Sequence, residues 1–295
     1  MVSGNTSVLG LIGDPVGHSL STFMHNTVFK QLNLDYVYVP FNVKKENLSD
    51  AILGAKGLNI AGLNVTIPHK INVINYIDEI DSVAEMIGAV NTIKFNNGKA
   101  IGYNTDGVGA IKGLQEISSL KDKKVIILGA GGSSRAVGFQ LAISGINELL
   151  ITNRNIEKAK ILTDDFKAKL RNTQQEVFPD FNNEMIFNHS NFSILKNEIK
   201  DADILINATP LGLYPNVNPD PIIKSDILHS DLIVYDLIYN PLETITLKEA
   251  KKAKTKTISG IKMLVHQGAT SLKIWTGVDA PIDTMEKTVI NKLVL

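Results

Sequence analysis

The chain has 295 residues, with 30 lysines and arginines against 30 aspartates and glutamates and no cysteine. A net charge of zero leaves no long-range field to draw it to nucleic acid or anionic lipid, so a small molecule is the expected partner. The lack of cysteine excludes disulfides, thiolate metal sites and cysteine nucleophiles, and fits a reducing compartment.

At about 100–200 residues per domain, the length favours two domains. Residues Met1 to Thr6 lack the features of a secretory signal, and no apolar run approaches the roughly 18 residues of a membrane span. A protein of the cytoplasm, with no membrane partner, is expected.

In chain order, strands are predicted at Val8–Ile12, Tyr36–Val39, Ala61–Ile67, Val125–Leu128, Glu148–Thr152, Ile204–Asn207, Leu232–Asp236 and Lys256–Ile258. Amphipathic patterns suited to crossover helices lie at Leu20–Leu32, Val108–Ile117, Ser134–Ser144, Ile156–Leu170 and Thr244–Ala253. The class is α/β with parallel sheets. A domain boundary is expected just after Asp106, because a helical pattern and a charged turn then lead into a fresh strand at Val125. The least patterned stretch, Arg171–Asn191, reads as a surface insertion without assigned function.

The first polar cluster follows the glycine-spaced loop Gly13–Ser19, where Ser19 and Ser21 share a face if the chain is extended. Taken singly, Ser21 reads better as a helix N-cap. In Asn64-Val-Thr-Ile-Pro-His-Lys70, strand alternation sets Asn64 and Thr66 on one face and Val65 and Ile67 on the other, and Lys70 follows in the turn. Amides and hydroxyls gathered this way suit a ligand rich in hydroxyl groups. Asn91, within Gly88–Thr92, and Asp106, within Gly102–Gly107, sit in glycine-flanked loops and are by themselves ordinary turn formers.

The run Val125–Ala136 is a predicted strand, a glycine-rich turn and a predicted helix, the context that a dinucleotide fingerprint requires. Gly129 permits the tight turn, Gly131 lets backbone approach a pyrophosphate, and small Ser134 fills the third position. A site for a non-phosphorylated ribose places an acid about 20 residues further on. Here the next strand ends in Asn153-Arg154-Asn155, with Lys158 one turn on, so the residues favour NADP over NAD. The six histidines fall in no metal-ligand spacing, so no metal is expected, and His69 reads as a solvent-facing turn residue.

Together these runs resemble the shikimate dehydrogenase family. The likeness is carried by Ser19–Ser21, Asn64–Lys70, Gly88–Thr92, Asn104–Gly107, the Gly129–Gly132 loop, Asn153-Arg154, Asn207–Gly212, Tyr235–Pro241 and Gly260–Gly268, in family order.

The resemblance implies an N-terminal substrate domain, residues 1–106, with a mixed, mainly parallel sheet, completed by C-terminal helices within 263–295. A Rossmann-like NADP-binding domain would span 107–262, with the active-site cleft between them. It implies Lys70 and Asp106 as the catalytic pair, and Ser19, Ser21, Asn64, Thr66, Asn91, Tyr239 and Gln267 as further substrate contacts. It also implies Gly129, Gly131, Gly132, Ser133, Asn153, Arg154, Lys158, Thr209 and Gly260 as the cofactor site.

The implied reaction is reversible, NADPH-dependent reduction of 3-dehydroshikimate to shikimate in the shikimate pathway. The alternatives are a quinate/shikimate dehydrogenase that uses NAD or NADP, and a non-catalytic sensor of nucleotide or metabolite. The sequence leaves the oligomeric state open, a homodimer being the assembly considered.

Overall fold

The computed structural model describes residues 2–171 and 178–294. Its elements in chain order are β1 (Ser7–Gly13), α1 (Ser21–Gln31), β2 (Tyr36–Asn42), α2 (Leu48–Gly57), β3 (Gly62–Val65), β4 (Glu79–Ile80), α3 (Ser82–Ile87), β5 (Thr92–Asn96), β6 (Lys99–Tyr103) and α4 (Asp106–Gln115). There follow β7 (Lys124–Leu128), α5 (Gly132–Ala142), β8 (Glu148–Thr152), α6 (Ile156–Leu170), β9 (Ile186–Ser190), α7 (Leu195–Glu198), β10 (Ile204–Asn207), β11 (Ile233–Asp236), α8 (Ile245–Lys252), β12 (Lys256–Ile258), α9 (Gly260–Thr276) and α10 (Ile282–Val294). The chain divides into two compact units, Met1–Asp106 with Val265–Leu295, and Gly107–Leu264.

The first unit holds a six-stranded sheet in the order β2-β1-β3-β5-β6-β4. Strands β2, β1 and β3 are parallel, whereas β5 pairs antiparallel with both β3 and β6. The β5–β6 connection is Asn97-Gly98, both at positive φ (50° and 76°), the backbone that a two-residue hairpin of matching twist demands. Beneath the sheet, Ile12, Ile52, Leu63, Val65, Val90 and Ile93 form one buried cluster. The strand predicted at Ala61–Ile67 is shorter, and after Pro68 the chain makes a turn and a single 3-10 stretch, Asn72–Tyr76. Strands β4, β5 and β6 and helices α2 and α3 are additions to the predicted set.

Helix α9 lies against this sheet where Gly62 allows it. A Cβ at Gly62 would run into the Trp275 ring, whose Nε1 donates to Ile93 O at 2.9 Å.

The second unit is a six-stranded, wholly parallel sheet in the order β12-β11-β10-β7-β8-β9. Strands of this kind are covered on both faces, which is why Ile126, Leu128, Leu205 and Val234 are buried. The strand order reverses between β7 and β10, and in such sheets ligands bind outside the carboxyl ends of the strands at that reversal.

The stretch read as a surface insertion, Arg171–Asn191, instead contributes the edge strand β9, paired in register with β8. Residues 172–177 of that stretch lie outside the described ones. No helix among the described residues is long and apolar enough to cross a membrane.

One buried polar group bears on stability. His25 is wholly buried beside Tyr38, Phe29 and Trp275, and neither ring nitrogen finds a hydrogen-bond partner among the described residues. Burial pushes its imidazole down to about 3. The unfolded chain binds a proton at an ordinary histidine pKa and the folded one does not. The contribution is therefore fully present above about pH 6.5 and is lost as the pH falls from there toward 3. His25→Phe removes the unpaired nitrogens while keeping the stack. Urea unfolding should show equal or higher stability at pH 7 and a shallower loss between pH 6.5 and pH 4 than in the parent.

Candidate active and cofactor sites

In the first unit, Asn64, Asn91 and Asp106 stand at or just beyond the ends of β3, β5 and β6. Lys70 Nζ donates to Asp106 Oδ2 at 2.6 Å, and the other carboxylate oxygen, Oδ1, accepts from Asn91 Nδ2 at 2.8 Å. The ion pair is partly sheltered, with side-chain exposures of 31% for Lys70 and 15% for Asp106. Asp106 heads α4, where the free N–H groups of the first turn favour a negative charge, and its own N–H donates to Asn104 Oδ1 at 3.1 Å.

The orientation of Asn91 is fixed by a group that can only donate. Its Oδ1 accepts from the backbone N–H of Thr105 at 2.8 Å, so the amide nitrogen must face Asp106. Asn64 is set by a group that can only accept, the Asn91 carbonyl, to which its Nδ2 donates at 3.1 Å. Its Oδ1 accepts from Tyr38 OH at 2.7 Å, while Nδ2 donates to Thr92 Oγ1 at 3.0 Å and Ser271 Oγ at 3.2 Å.

Ser271 also meets Thr92 Oγ1 at 2.8 Å and Thr105 Oγ1 at 3.1 Å, which closes a buried polar cluster. Tyr38, Thr92, Thr105 and Ser271 were not among the predicted site residues. Thr105 lies inside the quoted Asn-Thr-Asp-Gly run, and Ser271 is one helical turn after Gln267, so helical spacing was the available signal for it.

The remaining predicted residues divide. Ser19 is half-buried, and its Oγ accepts from the Ser21 N–H at 3.3 Å. Ser21 is buried as the first residue of α1, and the N-cap position belongs to Leu20. Thr66 and Gln267 are half-buried. His69 is the clear correction. It is only 1% exposed, and its Nε2 hydrogen-bonds Val43 O at 2.7 Å, which ties the Lys70 turn to the chain leaving β2.

In the second unit, the turns after β7, β8 and β10 enclose a pocket of about 810 Å³. Gly129 has φ +108° and lies against the Ala208 carbonyl, a position where any side chain would be strained. Gly131 and Gly132 face open space that a Cβ would fill. Helix α5 starts there with no side-chain cap, so its first N–H groups point outward as an anion cradle.

Arg154 and Lys158 line the pocket, are exposed, and enter no ion pair among the described residues, while Asp220 is the one acid in the lining. Arg135, by contrast, is held by Asp165. This donor set fits a dinucleotide carrying an extra phosphate on the ribose.

Asn153 and Thr209 also line the pocket; Gly132, Ser133, Gly260 and Tyr239 do not. Gly132 and Ser133 begin α5, while Gly260 is pressed against the backbone of Leu237 and Ile238, where a side chain would collide. Burial raises the Tyr239 phenol above its ordinary range.

Three family models match the chain. They are a shikimate dehydrogenase substrate-binding domain at residues 11–93, a shikimate/quinate 5-dehydrogenase at 112–214 and a shikimate 5′-dehydrogenase C-terminal domain at 260–290. The shikimate dehydrogenase (NADP+) of Methanocaldococcus jannaschii is 51% identical over 294 residues, covering 99% of both chains. This chain belongs to the shikimate dehydrogenase family. The relative from Methanobrevibacter smithii, of the same name, is 52% identical over 288 residues, covering 98% of both chains. A shikimate dehydrogenase solved in complex with NADP+ superposes with a TM-score of 0.90 at 51% identity, over 99% of this chain and 98% of that one.

The Asn91 geometry carries a consequence for stability. Asn91→Ala leaves the buried Thr105 N–H without its acceptor, at a cost of about 1–3 kcal/mol for an unpaired buried group, and takes its donor from the partly exposed Asp106 Oδ1. Urea unfolding should record that loss, and Asn91→Asp, which sets an acceptor against the Asp106 carboxylate, should be worse.

Proposed function

We propose that the chain is an NADP-dependent shikimate dehydrogenase, which interconverts 3-dehydroshikimate and shikimate in the cytoplasm. The observation that supports this best is the Lys70–Asp106 pair at 2.6 Å, with the second carboxylate oxygen held by Asn91. The cofactor, when bound, supplies the hydride.

As the ketone is reduced, negative charge develops on its oxygen, and Lys70, aimed by the adjacent carboxylate, delivers a proton there. Asp106 aims the lysine and accepts from a neighbouring substrate hydroxyl. Ser19, Ser21, Asn64, Thr66, Asn91, Tyr239 and Gln267 complete the polar surface that the carboxylate and hydroxyls of the substrate require. In this reading residues 1–106, completed by the C-terminal helices, form the substrate domain, and 107–262 the cofactor domain.

Gly129, Gly131, Gly132 and Ser133 receive the pyrophosphate. Asn153, Arg154 and Lys158 receive the adenosine ribose and its 2′-phosphate, with Thr209 and Gly260 supporting the nicotinamide half. Arg154 offers a planar fork that matches phosphate geometry, and Lys158 a second charge.

Initial rates with shikimate or quinate, each against NADP or NAD, test the reading. Shikimate with NADP should far exceed the other three pairs. Preference for quinate or NAD would move the protein to a quinate/shikimate branch, and absence of turnover from folded protein would favour a sensor. In the same assay Arg154→Ala should raise the KM for NADP roughly 10- to 100-fold, the value of charge-assisted hydrogen bonds, and leave that for NAD nearly unchanged.

A further inference from the structure

Asp236, the last residue of β11, is fully buried, and no cation pairs with it among the described residues. Burial raises its carboxyl above the ordinary range, against the pull of the donors around it. Oδ1 accepts from Asn207 Nδ2 at 3.0 Å and from the Ile238 N–H at 3.1 Å, and Oδ2 accepts from Thr244 Oγ1 at 2.5 Å. The two nitrogens on Oδ1 can only donate, so that oxygen must be an acceptor, while the Thr244 hydroxyl can donate or accept.

Asn207 is the register partner of Asp236 across β10 and β11. Its Oδ1 accepts the N–H and hydroxyl of Thr209, at 3.1 and 2.7 Å, so its amide polarity is fixed and Nδ2 must face the carboxylate. On the far side, Gly260 presses against the backbone of Leu237 and Ile238. The turn after β10, with Thr209, and the turn after β11, with Tyr239, are thus joined through one buried carboxylate.

We propose that Asp236 is a positioning residue that locks the Thr209 turn and the Tyr239 turn together, so that cofactor and substrate contacts are set by one group touching neither ligand. This rests on the reading of Thr209 and Tyr239 given above. Replacing Asp236 by alanine removes the acceptor that Asn207 Nδ2 and the Ile238 N–H share, and that loss reaches both turns, whereas an amide could keep that acceptor and turn its own donor to the Thr244 hydroxyl. Thr209→Val, which removes one hydroxyl at the outer end of the chain of bonds, disturbs the cofactor side only.

Hydrogen exchange and steady-state kinetics on Asp236→Ala test the proposal. In the folded variant the amides of Thr209 and Ile238 should both exchange about tenfold faster, with β7 and β8 unchanged, the signature of a local opening. The KM for NADP and for shikimate should rise together, by about 3- to 10-fold, corresponding to one lost buried hydrogen bond, whereas Thr209→Val should raise only the first. If Asp236→Ala does not fold, Thr244→Val, which removes one bond to the same carboxylate, should give the same paired signature at smaller amplitude. Wild-type exchange at either turn in a folded variant would overturn the proposal. Should the wild type prove inactive with shikimate, the functional reading falls, and the exchange rates still decide whether the two turns are locked together.

Discussion

The amide of Asn91 has no freedom to rotate, because a backbone N–H from Thr105 occupies its oxygen and leaves the nitrogen facing Asp106. That constraint fixes one carboxylate oxygen and leaves the other to Lys70. A lysine on a flexible stem becomes an aimed proton donor only if its partner stays still, and the stillness of Asp106 traces to this amide. The surrounding cluster of Asn64, Thr92, Thr105 and Ser271 serves the same end. Its amides and hydroxyls satisfy one another, so these polar groups add rigidity.

The second unit repeats the device with different residues. Asn207, at the end of β10, has its oxygen held by Thr209 and its nitrogen facing the carboxylate of Asp236. In each unit, then, an asparagine near a strand end is locked by a backbone N–H and made to donate to an aspartate. The outcomes differ with burial. Asp106 is partly exposed and pairs with a lysine, whereas Asp236 is sealed and pairs with no cation among the described residues.

Within the second unit the parallel sheet reverses its strand order between β7 and β10, and the glycine turn, Arg154, Lys158 and Thr209 gather around that reversal.

The strands of the parallel sheets were legible because burial on both faces writes them as short β-branched runs. The antiparallel part of the first sheet was not. Lys99–Tyr103 carries few β-branched residues, and β4 is two residues long, although Asn97-Gly98 is a hairpin signal in its own right. β9 was missed because Ile186–Ser190 contains a polar asparagine, histidine and serine suited to an edge strand and follows an unpatterned stretch.

At the site, Lys70, Asp106 and Asn91 stood out through the family likeness. Their buried supports did not, since hydroxyls far apart in the chain, such as Thr92 and Ser271, meet only once the fold brings them together. His69 was misread for the same reason, its acceptor at Val43 being distant in sequence.

The central claim is that Lys70, steadied by Asp106, moves the proton. The most direct measurement is the turnover number of Lys70→Ala with shikimate and NADP, alongside calorimetric binding of shikimate to the same variant. The account predicts a fall in kcat of about 10²–10⁴-fold, the usual worth of general acid–base catalysis, with shikimate still bound. Turnover within a fewfold of the parent at intact binding would contradict it and assign the proton to another group.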